Sequence, residues 1–279
     1  MKNVKHIKHS DPIKVGLIGF GKAGKAAASV FLQSPEVHLE WVVRQATLLE
    51  HHSIPEFLGI ESDEPGHIYS SQHISAEDLI EKHPVDIIVD FSSASGIDYY
   101  WRAARNKGIK VVSAISHYTS REINLIDKVA EESAILWSPN ITIGINYMIL
   151  AAQVMKKIAP EIDIEIVEEH FRQKPELSGT AIKLANSLGK DKDDIKSIRA
   201  GGIVGKHEVI FGFPYQVVRL THESISREAF GNGAIFACRH LMDKAPGRYG
   251  FEELIAPYFH TPANRTEVRS CSCHCAVAV

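Results

Sequence analysis

The sequence predicts an α/β protein, with a Rossmann-type doubly wound parallel sheet domain joined to a second α+β domain on a mixed sheet. Three observations carry this. Short Val- and Ile-rich runs alternate with helical segments from residue 13 to about 140, the pattern of βαβ units. A Gly-x-Gly-x-x-Gly run separates the first strand from the first helix. After Asn140 the texture changes to helix, strand, loop and helix, followed by three strand-like runs in succession.

In chain order, the predicted buried strands of the first part are IKVGLIGF (13–20), VHLEWVV (37–43), VDIIVDFSS (85–93), IKVVSAI (109–115) and AILWSP (134–139). Between them KAAASVFLQ, AEDLIEKH, GIDYYWRAARNKG and SREINLIDKVAEES carry helical spacing, which implies helices on both faces of a parallel sheet. The second part opens with the helix NYMILAAQVMKKIA and the strand IDIEIVEEH, then a polar loop and the helix TAIKLANSLG. IKSIRAGGIVG, HEVIFGF and YQVVRLTHE then read as consecutive strands joined by short turns. A last helix, REAFGNGAIFACRHLMD, is placed back on the first domain. These readings assign residues 1–141 plus 227–258 to a dinucleotide-binding domain, 142–226 to substrate binding and oligomerisation, and 259–279 to a disordered tail.

Composition narrows the function. The chain has 279 residues, 44% hydrophobic and 23% charged, with a formal net charge of −3. No basic run draws it to nucleic acid or to a membrane surface. No stretch approaches the roughly 20 apolar residues of a membrane span, and the N-terminus lacks a signal-peptide core, so a cytoplasmic protein is expected. Cys238 stands alone in a helical pattern, whereas Cys271, Cys273 and Cys275 crowd around His274 in the tail. That spacing is no disulfide framework, and ligands so close together do not readily close a tetrahedron, so no metal is assigned.

Gly19-Phe20-Gly21-Lys22-Ala23-Gly24 has the context a dinucleotide fingerprint needs. Gly19 permits the tight turn, Gly21 lets the backbone approach a pyrophosphate, and Gly24 lets helix and strand pack closely. Phosphates would lie on the free amides and positive dipole of the helix N-terminus. The second strand ends in Arg44 rather than an acidic residue, and a guanidinium suits a 2′-phosphate, so NADP is favoured over NAD.

The run EEHFRQKPELSGTA (168–181) supplies what such a domain lacks. His170 exchanges a proton near neutral pH, Lys174 offers a mobile cation, and Ser178, Gly179 and Thr180 present hydroxyls and amides to a carboxylate. On residue type alone the run reads first as a solvated loop before a Ser-capped helix.

In full, IEIVEEHFRQKPELSGTA resembles the substrate-site signature of the dihydrodipicolinate reductase family of lysine and diaminopimelate biosynthesis. VGLIGFGKAG, VDFSSASG, SPNITIGINYM, RAGGIVGKHEVIF and THESISREAFGNGA extend that resemblance over most of the chain in the family's order. It implies an NAD(P)H-dependent reduction of 4-hydroxy-tetrahydrodipicolinate, with His170 as acid/base and Lys174 as catalytic lysine. It further implies that Ser178, Gly179 and Thr180 hold a substrate carboxylate and that Arg227 lies near the substrate. Gly19, Gly21 and Gly24 match the phosphate loop, Asp90-Phe91-Ser92 the segment beside the cofactor, and Asn140 the crossing loop facing the nicotinamide. The resemblance also implies assembly through the second-domain sheets, commonly as a homotetramer.

Three features depart from the family. Its second histidine is Phe171 here, and Lys174 is followed by Pro175-Glu176-Leu177 in place of Asp-Ala-Pro. A Gly-Thr-Thr-Gly loop is replaced by Ser113-Ala114-Ile115-Ser116, without either glycine next to the nicotinamide. The segment between Gly189 and Arg199 is also shorter than in longer members. These changes keep two alternatives open: a paralogous reductase of another cyclic imine or enamine acid, and a non-catalytic nucleotide-binding protein on the same fold. Arg227 also fits a simple pairing with a neighbouring carboxylate. His51, His52, His207 and His222 read as surface or supporting groups.

Overall fold

The computed structural model of the chain describes residues 11–64 and 66–259. The Cys271–Cys275 cluster and the tail expected from 259 onward therefore lie, from residue 260, outside the described residues, as do the first ten residues of the chain.

The first part alternates strand and helix throughout: β1 (Ile13–Ile18), α1 (Lys22–Phe31), β2 (Val37–Arg44), α2 (Ile54–Leu58), β3 (His67–Ser70), α3 (Ala76–Lys82), β4 (Ile87–Asp90), α4 (Ile97–Lys107), β5 (Lys110–Ser113), α5 (Ser120–Ala130) and β6 (Ala134–Trp137). The second part contains α6 (Ile143–Ile158), β7 (Asp163–His170), α7 (Gly179–Ser187), β8 (Ile195–Arg199), β9 (Lys206–Phe213) and β10 (Gln216–Glu223). The chain then returns through α8 (Glu228–Leu241), β11 (Gly247–Tyr249) and α9 (Phe251–Ile255).

The large sheet has seven parallel strands in the order β11-β6-β5-β4-β1-β2-β3. Strand order reverses between β1 and β4, which opens a crevice at their carboxyl ends. Both faces are covered. Phe31 of α1, Leu241 of α8 and Phe251 of α9 pack into one apolar cluster, while Leu79 of α3, Tyr100 of α4 and Ile126 of α5 pack into the other. Helix α8 packs against α1, β5 and β6, and its glycines let it approach the loop after β6 closely: a Cβ at Gly233 would fall 1.8 Å from the Ile141 carbonyl oxygen.

Two strands of this sheet escaped the sequence reading. β3 is a four-residue run and β11 is only Gly-Arg-Tyr, so neither carries an apolar stretch. Both lie at sheet edges, where pairing with β2 or β6 makes the strand.

The second sheet is mixed, in the order β10-β9-β7-β8. Of the three runs read as consecutive strands, β9 and β10 pair with each other, but β8 does not pair with β9. β8 runs parallel to β7, which separates it from β9, and β9 is antiparallel to both β7 and β10. The reason is α7: a helix between two strands of one sheet makes a crossover unit, and a crossover returns the chain in parallel. Ile164 and Ile166 of β7 and Val209 and Phe211 of β9 pack beneath Ile149 of α6 and Leu184 of α7.

Candidate active site

The fingerprint glycines sit where their chemistry is needed. Gly19 leaves β1 at φ +93°, a conformation side chains resist, and its amide bonds the Val43 carbonyl at 2.8 Å. A Cβ on Gly24 would lie 2.1 Å from the Gly19 carbonyl oxygen, so helix and turn touch there. A Cβ on Gly21 would meet nothing within 4 Å. That open position is the N-cap of α1, whose first turn has no acidic residue to neutralise the positive end of the helix. Exposed Lys22 and half-buried Ala23 complete the first turn.

A cavity of about 630 Å³ opens over this turn, lined by Gly19, Phe20, Gly21, Arg44, Ser92 and Tyr99 among others. It lies where the strand order reverses. Its size and its cradle of free helix-end amides fit a dinucleotide. Arg44 lines it with its guanidinium bonded to the Leu48 carbonyl at 3.1 Å.

Asp90, Phe91 and Ser113 do not line that cavity. The Asp90 carboxylate is fully buried and accepts from the Ser92 amide at 2.8 Å, the Ser92 hydroxyl at 2.6 Å and the Tyr100 hydroxyl at 2.9 Å. Burial pushes its pKa up to about 6, against the pull of those hydrogen bonds. Its visible work is to shape the turn that presents Ser92. Phe91 packs half-buried against the apolar cluster, and Ser113 is buried with its hydroxyl 2.7 Å from that of Tyr118.

The second constellation forms at the end of β7. Ile164, Ile166, Glu168 and His170 alternate along its buried face, so the core row ends in two polar residues. Pairing sets Ser197 of β8 and His207 of β9 beside Glu168, and Arg199 beside His170. The Glu168 carboxylate, with no exposed surface, accepts from His170 Nδ1, from the Ser197 hydroxyl and from the Arg199 guanidinium, the last at 2.7 Å. Burial alone would raise its pKa, yet these three donors hold it below the usual carboxylate range. Burial lowers the His170 pKa, with Lys174 and Arg199 adding to the fall and Glu168 opposing it.

Arg199 also bonds the carbonyls of Lys174 at 3.1 Å and Glu176 at 2.9 Å, so one guanidinium ties the loop after His170 to the carboxylate that holds His170. Within that loop the Lys174 amide bonds the Phe171 carbonyl, and Phe171 itself faces solvent. Ser178 is the N-cap residue of α7, but its side chain makes no cap bond. Its hydroxyl lies 3.0 Å from His207 Nε2, and the His207 ring stands edge-on to His170 at 5.4 Å. The simple Ser-cap reading is thus corrected. Of the two places the sequence allowed His207, surface or supporting, the second holds: it is buried, and burial lowers its pKa to about 4.

Half-exposed Thr180, one residue after exposed Gly179, accepts from Asn140 Nδ2 at 3.1 Å. The Asn140 side-chain oxygen in turn accepts from the amide and hydroxyl of Thr142. The crossing loop and the start of α7, assigned from sequence to cofactor and substrate respectively, therefore touch. Arg227 sits exposed at the start of α8, outside this hydrogen-bond network; the pKa of neighbouring Glu228 is lowered mainly by the Ser226 hydroxyl, with the Arg227 charge adding least. Among the described residues, no group of three or more His, Cys, Asp or Glu is arranged to hold a metal.

Sequence reading passed over Glu168 as a functional group, and Ser197, Arg199 and His207 as well. Glu168 had a local signal, because two residues apart on a strand means one face. The others, 29 or more residues from their partners Glu168 and Ser178, become neighbours only through strand register.

Comparison with known proteins gives a consistent result. Residues 13–141 match the N-terminal domain of dihydrodipicolinate reductase and residues 143–255 its C-terminal domain. The chain is 30% identical over 258 residues to the 4-hydroxy-tetrahydrodipicolinate reductase of Caldanaerobacter subterraneus subsp. tengcongensis, covering 84% of this chain and 94% of that one. It is 32% identical over 202 residues to the same-named protein of Rickettsia bellii, covering 64% and 81%. Among solved structures, a dipicolinate-bound dihydrodipicolinate reductase from Paenisporosarcina sp. TG-14 superposes with a TM-score of 0.69 at 20% identity, covering 86% of this chain and 97% of that one. An amine dehydrogenase from Mycobacterium smegmatis has a TM-score of 0.61 at 10% identity, covering 88% and 96%, which shows a shared fold.

Proposed function

We propose, from the premise that this chain belongs to the dihydrodipicolinate reductase family, that it reduces 4-hydroxy-tetrahydrodipicolinate to tetrahydrodipicolinate in lysine and diaminopimelate biosynthesis. One observation carries the reading at the level of chemistry: a buried histidine held by a carboxylate, His170, packs edge-on to His207, which in turn bonds the serine that opens α7. The non-catalytic alternative gives no account of such a group.

A reduced nicotinamide bound in the cavity supplies the hydride. The helix-end amides after Gly21 hold the pyrophosphate, and Arg44 favours the 2′-phosphate of NADPH over NADH. Ser178, Gly179 and Thr180 anchor a substrate carboxylate at the N-terminus of α7, where dipole and amides both favour the anion. Ser178 is able to donate its hydroxyl proton to that carboxylate while accepting from His207 Nε2–H. His170, whose imidazolium the anionic substrate favours against the lowering by burial, gives up the Nε2 proton as hydride is added, and Lys174 adds a cation beside the substrate. Over the whole reaction the substrate gains one hydride and one proton and loses water.

The outer face of the second sheet supports assembly as a cytoplasmic homotetramer. Ile198 and Val217 are exposed there, and the cross-strand pairs Lys206–Glu169 and Arg219–Glu208 lie on the same face. The test of the enzyme is a coupled assay in which dihydrodipicolinate synthase product is supplied with NADPH or NADH in turn. Oxidation of NADPH, faster than of NADH, is expected. No oxidation of either would refute the lysine-pathway assignment, and turnover of another cyclic imine acid alone would favour a paralogous reductase.

A further inference from the structure

We propose that Glu168 and Arg199 are a positioning pair for proton delivery: Glu168 fixes the His170 ring with Nδ1–H toward itself and Nε2 toward the reacting side, while Arg199, gripped by the same carboxylate, fixes the loop that carries Lys174. This deepens the functional reading above and rests on it.

The geometry is specific. An apolar side chain at position 168 would continue the Ile164–Ile166 row of the core, and a buried ion pair is seldom the cheaper way to fill such a place. Here the buried carboxylate is saturated by three donors, and one of them is the proton-exchanging ring. The bond at Nδ1 leaves Nε2 as the exchanging atom, which is how one ring nitrogen sets the role of the other. Nε2 lies against Gly205, where a Cβ would come within 3.0 Å of it, so the residue beside the reactive nitrogen is the one that adds no side chain. The groups whose charge acts on the ring are Glu168, Lys174 and Arg199, and His207 flanks it in neutral form. When the imidazolium releases its Nε2 proton to the substrate, the neutral ring is left as the Nδ1–H tautomer that Glu168 already binds.

Arg199 links the two proton-handling groups. Its guanidinium spans the Glu168 carboxylate and the carbonyls of Lys174 and Glu176. A lysine there keeps the charge but cannot make all three contacts.

The experiment pairs steady-state kinetics with long-range ¹H–¹⁵N NMR of the histidine rings in the full chain. Glu168→Gln is expected to lower kcat about 10- to 100-fold, part of the roughly 10²- to 10⁴-fold range of general acid catalysis, with KM changed less than about threefold. The alkaline limb of its pH profile should move to lower pH, because the anion that favours imidazolium is gone. His170 should lose its single Nδ1–H tautomer. Arg199→Lys is expected to lower kcat while the His170 tautomer persists. If Glu168→Gln does not fold, as a thermal melt would report, Ser197→Ala takes its place, with a kcat loss of about two- to fivefold. Unchanged kcat and unchanged tautomer in whichever Glu168 or Ser197 variant folds would overturn the proposal. A wild-type protein with no reductase activity whose His170 nevertheless shows the Nδ1–H tautomer, lost in Glu168→Gln, would sink the functional reading and leave the positioning pair standing.

Discussion

The same substitution, three residues apart, should have opposite signatures in the fingerprint turn. Gly24→Ala places a Cβ 2.1 Å from the Gly19 carbonyl oxygen and 2.9 Å from its carbon, and both are backbone atoms that cannot swing aside. Contact at about 3.4 Å or more is needed, so the turn and α1 must separate by more than 1 Å in a packed interior. Overpacking of this kind costs about 1–3 kcal/mol. The melting temperature should fall by several degrees, and nucleotide affinity with it. Gly21→Ala meets nothing within 4 Å, and its backbone, at φ −78° and ψ −163°, accepts alanine. Reduced freedom of the unfolded chain contributes about 0.4–1 kcal/mol of stability, and a poorer N-cap takes back a similar amount. Stability should therefore stay within about 1 kcal/mol. The new methyl projects beside the cavity where the pyrophosphate is expected, and a misfit of about 1–3 kcal/mol there weakens NADPH binding about 5- to 150-fold. Differential scanning calorimetry and fluorescence titration with NADPH read the two effects separately. A Gly21→Ala protein with wild-type affinity, or a Gly24→Ala protein with wild-type melting temperature, would refute the reasoning.

Other outcomes follow from the buried ionisable groups and the family departures. Asp90 has a pKa raised from 3.8 to about 6, so its contribution is present below pH 3.8 and lost as pH rises through 6, a change of about 3 kcal/mol. Asp90→Asn should accordingly gain on wild type by about 1–3 kcal/mol in urea melts at pH 8, with no gain near pH 4. His207 has the opposite sign: its pKa is lowered to about 4, and the stability present above pH 6.5 is lost as pH falls through 4. In Asp90→Asn that acid loss is no longer masked, and a flat stability profile of this variant from pH 7 to 4 would contradict the His207 assignment. His170→Ala should lower kcat about 10²- to 10⁴-fold in the coupled assay without loss of NADPH binding by titration. Phe171→His restores a polar group on an exposed loop and should lower KM for 4-hydroxy-tetrahydrodipicolinate by about fivefold, the worth of one hydrogen bond; an unchanged KM removes Phe171 from the substrate site.

What the sequence disclosed, and what it concealed, divides along physical lines. β1, α1 and the glycines between them were legible because local pattern specifies them: an apolar run, a turn only glycine makes, then a 3.6-residue period. His170, Lys174 and Ser178 drew notice because they share one short segment, and their proposed roles came from its resemblance to a family signature. β3 and β11 were not, since an edge strand of three or four residues gets its conformation from its neighbour. Arg199 and His207 were hidden for the same reason on a larger scale, because strand register is written in pairing and not in spacing. Asp90 shows the converse. Its position in the motif was legible, but only the structure shows its carboxylate turned inward to Ser92 and Tyr100.

The parallel pairing of β7 with β8 governs where this chain tolerates changes of length. Ser197 and Arg199 reach Glu168 because they share a strand face, and one residue inserted within β8 would turn both to the opposite face. The connection before it, from Gly189 to Asp194, leaves α7 on the surface and carries none of the groups around His170. Lengthening it costs little loop entropy and leaves the site intact. An insertion or deletion a few residues further along, within β8, takes Ser197 or Arg199 away from the Glu168 carboxylate.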